Sequence, residues 1–298
     1  SKKISSFSKS RSMALKYYSD KLTNNENAWC VISLPTKAWA TKVFNDVSED
    51  EAVDKLWDAI FSVMRLKSED PNKAWEEHCN KLDNNAKILQ NYNFKKLIFK
   101  NSLGTNLELE LAPNHIWTAA SEFTKNSVEF IANMPTEEIF TTPKKDGING
   151  IVYSTKPLNY DGVLINNFSF TFKDGKIIDF TAEEGYDSLK ELLNTDDGSK
   201  YLGEVALVPY DSPISNSNIL FYNTLFDENA SCHLAIGEAY PTCIKGGEKM
   251  SDEELLKASS NVSLVHEDFM IGSKDLDILG ITHDGKEVQV FKNGNFAF

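Results

Sequence analysis

The chain has 298 residues, of which 41% are hydrophobic and 25% are charged, and these ordinary values disfavour wholesale disorder and a fibrous repeat. Its length fits about two domains better than one small module. The 44 acidic residues outnumber the 31 basic ones and give a formal net charge of −13, so no nucleic-acid partner is expected, because such a chain repels a phosphate backbone.

Residues 1–12 begin the chain without the apolar core of a secretory signal. Elsewhere no stretch approaches the roughly 18 consecutive apolar residues that a membrane span requires. We therefore expect a cytoplasmic protein that has no membrane partner.

The segment before residue 94 is rich in helix signals. Residues 29–34 form a short apolar run that predicts a buried strand. Ser48 opens a capping-box pattern, and the apolar spacing behind it predicts a helix to about Leu66. Asp70-Pro71 gives a second start signal for a further helix. Strand, helix, helix is typical of an α/β layer, here incomplete on its N-terminal side.

From residue 94 the apolar period changes to two, which is typical of strands. Residues 96–100 and 106–111 predict a hairpin, and Asp174-Gly175 predicts the turn of another. One helix is predicted at residues 183–193. The remaining predicted strands are residues 147–153, 163–172, 176–180, 203–209, 261–271, 276–281 and 288–291. The fold class is therefore α/β plus α+β, with residues 1–94 as one domain and residues 95–298 as a second, largely antiparallel β domain.

The four cysteines lie far apart, without the Cys-x-x-Cys pair of a zinc ribbon or a dithiol redox motif. We expect buried free thiols. They are Cys30, Cys79, Cys232 and Cys243.

His266 and Asp268 are the first candidates for chemistry, because residues two apart on a strand point to one face, whereas Glu267 points to the other. Imidazole beside carboxylate is a usable pair for a borderline metal cation. A surface histidine beside a solvated acid explains the same pattern equally well.

Further candidates lie in three segments, residues 229–240, 133–143 and 203–209. Residues 229–236 predict a short helix that ends at Gly237 and holds His233, with Tyr240 in the loop beyond it. Two prolines frame the adjacent carboxylates of Glu137 and Glu138, which favours a positioned pair over a solvated face, although helix-capping acids remain an equal alternative.

Glu204 enters an apolar strand and needs a partner there, because burying an unpaired charge is expensive. Together the candidates supply carboxylate, imidazole and phenol oxygen or nitrogen atoms and no thiolate, a set that suits two divalent cations with one carboxylate bridging them. The sequence leaves open whether these segments converge. The candidate ligands are Glu138, Glu204, His233, Tyr240, His266 and Asp268.

Several long motifs in the same order closely resemble the dinuclear metalloaminopeptidases of the aminopeptidase S, aminopeptidase T and PepS family. The resemblance runs from about Trp29 to the C-terminus and rests on residues 133–140, 154–160, 203–209, 212–218, 225–235 and 266–272. It implies that the same six residues hold two metal ions, for which zinc, cobalt, manganese and magnesium are all candidates. It also implies a homodimer, and a longer N-terminal α/β domain of which residues 1–94 are the last part, so that the chain lacks its beginning.

The implied activity is removal of the N-terminal residue from peptides with a free N-terminus, through a water or hydroxide activated by two divalent cations. Glu137, adjacent to a candidate ligand, is the candidate for transferring the proton to the leaving amine. Three alternatives stay open. One is a non-catalytic fragment or peptide-binding module that metal only stabilises, the second is a glycosidase that uses paired carboxylates, and the third is a set of scattered surface residues.

Overall fold

The computed structural model describes residues 2–298. Four helices lie within residues 2–92. These are α1 (Lys2–Thr23), α2 (Lys37–Val43), α3 (Glu49–Val63) and α4 (Pro71–Tyr92). The side chain of Ser48 accepts a hydrogen bond from the Glu51 amide, and that of Asp70 accepts one from the Lys73 amide. These caps satisfy amides that the first helical turn leaves unpaired. Both predicted helix starts are thereby confirmed. Within the described residues no helix is both long and apolar enough to cross a membrane.

The predicted strand at residues 29–34 is wrong. This segment forms one isolated bridge, from Val31 to Asn133, and the side chains of Val31, Ile32 and Leu34 are 44%, 55% and 60% exposed. No strand occurs in residues 2–93 of the described chain, so this part is helical rather than a strand, helix, helix layer. Helix α1 was not predicted, because its sequence has no continuous apolar stripe.

The rest of the described chain is dominated by antiparallel sheets. The main sheet has the strand order β15-β14-β13-β1-β2-β6-β8-β7, with β9 paired to β8. A second sheet, the site sheet, has the order β12-β11-β10-β5, and β3 and β4 form a separate ribbon. The strands are β1 (Phe94–Lys100), β2 (Asn106–Leu111), β3 (Ser121–Phe123), β4 (Glu129–Ile131), β5 (Ile139–Thr141), β6 (Pro143–Tyr153), β7 (Leu158–Tyr160), β8 (Val163–Lys173), β9 (Lys176–Glu184), β10 (Leu202–Leu207), β11 (His233–Gly237), β12 (His266–Met270), β13 (Asp277–Thr282), β14 (Glu287–Lys292) and β15 (Asn295–Phe296).

The hairpin predictions are confirmed. Strands β1 and β2 pair antiparallel, and β8 turns into β9 at Asp174 and Gly175, whose φ angles of 48° and 79° suit this tight turn. Four short helices lie among the strands: α5 (Tyr186–Leu193), α6 (Pro213–Ser217), α7 (Thr224–Asp227) and α8 (Asp252–Lys257). Helix α5 begins three residues later than predicted, because residues 183 and 184 end β9.

The predicted helix at residues 229–236 is also wrong. Residues Glu228–Ala230 form one 3₁₀ turn, and the chain then enters β11 between β10 and β12. The pairing of this segment with a strand on each of its two edges determines its conformation and outweighs the helix signals in its own sequence. The expectation of buried thiols holds for Cys232 and Cys243, whereas Cys79 is half-buried and Cys30 is exposed.

Two hydrophobic cores hold these elements together. The larger packs α4 against the main sheet and the inner face of the site sheet, with Leu89, Phe170 and Phe269 among its fully buried residues. The smaller packs α3 against α6 and α7, through residues such as Leu56 and Phe226. Both cores join residues from either side of position 94, and the division into domains 1–94 and 95–298 stays a prediction.

Asp227 gives a prediction for the pH dependence of stability. Its carboxylate is buried and accepts hydrogen bonds from the amides of Phe221 and Asn223, and burial raises its pKa from 3.8 to about 6. The folded state therefore keeps this proton where the unfolded chain has lost it, so the contribution of Asp227 to stability falls as the pH rises from about 4 to about 6.

We expect this loss to be about 1–3 kcal/mol and to be absent from Asp227→Asn. Urea unfolding of the unaltered chain and of Asp227→Asn from pH 4 to pH 7.5 measures this loss, as a change in the difference between their free energies of unfolding. A constant difference across this range would contradict the prediction.

Candidate metal centre

The register of the site sheet places the candidate residues on one face. Glu204 pairs with Ala235, and Ala235 in turn pairs with Asp268, while Gly237 pairs with His266. His233 lies two residues before Ala235 and therefore points to the same side. Four candidates from three adjacent strands thus share one face.

Small residues make room on this face. Ala206, Ala235 and Gly237 alternate with the larger side chains along β10 and β11. Gly203 precedes Glu204. A Cβ atom on Gly203 would lie 2.1 Å from the carbonyl oxygen of Glu238. Only glycine permits this approach, which brings the segment of Glu238 and Tyr240 against the start of β10.

The first cluster of donor atoms surrounds His233 Nε2. This atom lies 3.0 Å from Glu138 Oε2 and 3.5 Å from Glu204 Oε1. Glu138 immediately precedes β5, the strand that pairs with β10 on its free side. The three donor atoms lie within 4.8 Å of one another and all three residues are buried.

The second cluster shares Glu204. His266 Nε2 lies 3.9 Å from Glu204 Oε2 and 3.5 Å from Asp268 Oδ1, and these three residues again place donor atoms within 4.8 Å of one another. The Tyr240 ring packs on the His266 ring, with their centroids 5.1 Å apart. Glu204 therefore belongs to both clusters, one carboxylate oxygen in each.

Hydrogen bonds fix both imidazole rings. His233 Nδ1 lies 3.3 Å from the carbonyl oxygen of Ser231, and His266 Nδ1 lies 2.7 Å from that of Glu238. A carbonyl oxygen only accepts, so in each ring Nδ1–H is the donor and Nε2 faces the carboxylates. This arrangement is the usual one for a histidine that binds metal through Nε2.

The electrostatics of the two clusters favour positive charge. Burial raises the pKa of Glu204 to about 7, and the negative charges of Glu138 and Asp268 add to that rise. Burial alone would lower the pKa of His233, but its hydrogen bonds to Glu138 and Glu204 outweigh this and raise it well above the ordinary value. Crowded carboxylates thus stabilise a cation among them.

The donors fit divalent metal ions. Asp268 Oδ1 is buried without a hydrogen-bond donor among the described residues, and a cation would satisfy it. The clusters line a cavity of about 260 Å³ whose described lining contains no Lys or Arg. Oxygen and imidazole ligands without thiolate suit several divalent cations.

Glu228 is a carboxylate of this cavity that the sequence reasoning missed. It is 8% exposed and lies next to Asn229, whose amide donates to Glu228 Oε1 at 3.3 Å. Burial raises its pKa well above the ordinary value, and the negative charges of Asp268 and Glu138 raise it further. No strong local pattern marks it, because it lies in the 3₁₀ turn of Glu228–Ala230.

Glu137 lies outside this group. Its carboxylate forms two hydrogen bonds with the Arg65 guanidinium, at 2.5 Å and 2.9 Å, and lies 3.6 Å from His78 Nε2. It is not among the described residues that line the cavity. Its carboxylate is thus held by Arg65, and the proton transfer predicted for it stays a prediction.

A family model for thermophilic metalloproteases (M29) matches residues 1–296 of the chain. The chain belongs to the M29 family. This M29 chain is 51% identical to aminopeptidase 2 of Geobacillus stearothermophilus over 297 residues, covering all of this chain and 72% of the relative. It is also 51% identical to aminopeptidase AmpS of Bacillus subtilis over 298 residues, again covering all of this chain and 72% of the relative.

The solved structure of wild-type AmpT from Thermus thermophilus has the same fold as this M29 chain. The two superpose with a TM-score of 0.88 at 37% sequence identity, over 96% of this chain and 69% of that one. The family resemblance seen in the sequence motifs is confirmed, as is the coarse fold of a helical N-terminal part followed by antiparallel sheets.

Proposed function

We propose that this chain, a metal-dependent aminopeptidase of the M29 family, removes the N-terminal residue of peptides at a centre of two divalent cations. The observation that carries this proposal is the position of Glu204, which contributes one carboxylate oxygen to each of two adjacent donor clusters. A carboxylate in that position would be able to hold both cations if two were bound. The proposed ligands are Glu138, Glu204, His233, Tyr240, His266 and Asp268.

The ligands divide between the two clusters. Glu138 and His233 would hold one cation together with Glu204, and His266 and Asp268 would hold the other, again with Glu204. Tyr240 is the weakest of the six, because its phenol ordinarily keeps its proton, and burial together with the carboxylate of Glu204 raises its pKa well above 10. It would supply its phenol oxygen beside His266.

The rest of the chemistry falls to the residues around the cations. When bound, two divalent cations lower the pKa of a coordinated water and polarise the scissile carbonyl. Glu228 is the carboxylate that we assign to proton transfer, because it lines the same cavity and belongs to neither donor cluster. It takes a proton from the attacking water and returns it to the leaving amine. Asn229 orients it.

The finer predictions made from the sequence stand as part of this proposal. They are a homodimer, a cytoplasmic location, a choice among zinc, cobalt, manganese and magnesium, and residues 1–94 as the last part of an N-terminal α/β domain that precedes the catalytic domain of residues 95–298. Light scattering of the purified chain measures the first of these directly.

The test is turnover of aminoacyl chromogenic substrates by metal-stripped protein, before and after addition of cobalt or zinc. We expect activity to appear with about two ions bound per chain and to be absent with N-acetylated substrates. Two bound ions without turnover would support instead a metal-stabilised peptide-binding module. Failure to bind metal would contradict the ligand assignment, and turnover of a chromogenic glycoside after exhaustive chelation would indicate the paired-carboxylate chemistry of a glycosidase.

A further inference from the structure

Glu122 lines the same cavity as the proposed metal ligands but belongs to neither donor cluster. It lies in β3, in the two-stranded ribbon with β4, where it pairs with Phe130. The side-chain amide of Asn25 donates to Glu122 Oε2 at 2.7 Å, and this is the one hydrogen bond to that carboxylate among the described residues. Asn25 is itself buried, and its carbonyl accepts from the Lys125 amide at 3.1 Å. The carboxylate is therefore held in one orientation.

Glu122 has no positive partner in the cavity that it shares with the donor clusters, although Lys87 and Lys125 line a second cavity to which it also belongs. The described lining of the shared cavity contains no Lys or Arg. Burial raises the pKa of Glu122, against the Asn25 hydrogen bond that lowers it, and the negative charge of Glu138 adds to the rise. A cation that enters the cavity from solution relieves this cost.

The cavity has one carboxylate that the proposed function leaves unused. Five carboxylates line it: Glu122, Glu138, Glu204, Glu228 and Asp268. Glu138, Glu204 and Asp268 belong to the donor clusters, and Glu228 is assigned to proton transfer. Glu122 remains, so its carboxylate is available to a cationic group of a ligand that enters the cavity.

The walls beside Glu122 are apolar and have one unmet donor. Trp29, Val31, Ala132 and Leu225 line the cavity. Trp29 Nε1 is buried without an acceptor among the described residues, which a ligand with an oxygen atom would satisfy. An ammonium group beside an apolar side chain and a carbonyl oxygen is the chemistry of the first residue of a peptide.

We propose that Glu122, held by Asn25, binds the α-ammonium group of the substrate and thereby selects peptides with a free N-terminus. This inference rests on the proposed function and names the residue that recognises the substrate. The ammonium donates to the carboxylate in a charge-assisted hydrogen bond, which is stronger than one between neutral groups. Glu122 is a specificity residue and takes no part in the bond cleavage.

The test compares two ligands that differ only in the amine: L-leucine and 4-methylpentanoate. Calorimetry measures their binding to the cobalt-loaded chain and to its Glu122→Gln variant, whose amide keeps the shape and the Asn25 contact. We expect Glu122→Gln to weaken L-leucine binding by about 10- to 100-fold, to leave 4-methylpentanoate binding unchanged, and to retain the cobalt content. Glu129→Gln, an exposed carboxylate on the partner strand β4, is the matched control and should change neither.

Three outcomes would overturn the inference. They are equal affinities of the unaltered chain for the two ligands, unchanged L-leucine binding in Glu122→Gln, and an equal loss for both ligands. Unchanged L-leucine binding in a chain that still prefers the amine would assign amine recognition to the metal ions instead. Turnover of aminoacyl substrates by the unaltered chain is measured in parallel, so a chain that binds L-leucine through Glu122 without turnover rejects the proposed function alone.

Discussion

Replacing Glu204 by glutamine is expected to release both metal ions and to lower kcat/KM by at least about 10³-fold, since metal ions supply several kcal/mol of transition-state stabilisation. The reason is geometric. Glu204 is the one residue common to both donor clusters, with Oε1 facing His233 and Oε2 facing His266. An amide offers one weak oxygen donor and an NH₂ group that repels cations.

Metal analysis of dialysed protein and kinetics with an aminoacyl chromogenic substrate measure this loss. His233→Ala and Asp268→Ala each remove a ligand of one cluster only, so each should retain about one ion per chain. Glu267→Gln is the matched control, because Glu267 lies between two proposed ligands on β12 but does not line the cavity. Two ions bound to Glu204→Gln would contradict its bridging position.

The six candidate ligands line one cavity, although the sequence mispredicted part of the local structure around them. His266 and Asp268 were placed correctly because a strand alternates its side chains whatever its neighbours do. His233 was assigned to a helix and lies on β11, because pairing with β10 and β12 decides that segment and pairing partners are distant in the chain. The six proposed ligands were identified from the order of the motifs and from residue type, and neither of these depends on the local conformation.

Other features depend on contacts that a linear reading does not show. The role predicted for Glu137 followed from its adjacency to Glu138, yet neighbours at the start of a strand point in opposite directions, and Glu137 meets Arg65 from 72 positions earlier in the chain. Glu122 and Glu228 belong to the cavity because a ribbon and a 3₁₀ turn place them there. Neither element has a strong sequence pattern.

The contact with Arg65 makes Glu137 a structural anchor. Its carboxylate accepts two hydrogen bonds from Arg65, and both side chains are largely buried, with exposures of 5% and 18%. His78 completes the group. Burial lowers its pKa, so it is neutral, and its Nδ1 accepts from Arg65 while Nε2–H donates to the carbonyl of Thr136. The end of α3 is thereby tied to the residues just before β5.

Arg65→Ala is therefore expected to lower the free energy of unfolding by about 3–5 kcal/mol, because it leaves the buried Glu137 carboxylate without its cation. Urea unfolding measures the loss. Arg65→Ala combined with Glu137→Gln should recover part of it, since the neutral amide needs no counter-charge. Lys67→Ala, which removes an exposed ion pair with Asp58 near the same helix end, is the control and should change stability by less than about 1 kcal/mol.

Arg65→Ala also separates an anchoring role from a general loss of packing. Glu138 follows Glu137 directly, so loosening this segment should weaken metal binding at the His233 cluster, which contains Glu138, more than at the His266 cluster, which does not. Metal titration of the folded variant distinguishes the two sites. If Arg65→Ala binds each ion as tightly as the unaltered chain does, then β5 and its pairing with β10 hold Glu138 in place without the help of Arg65.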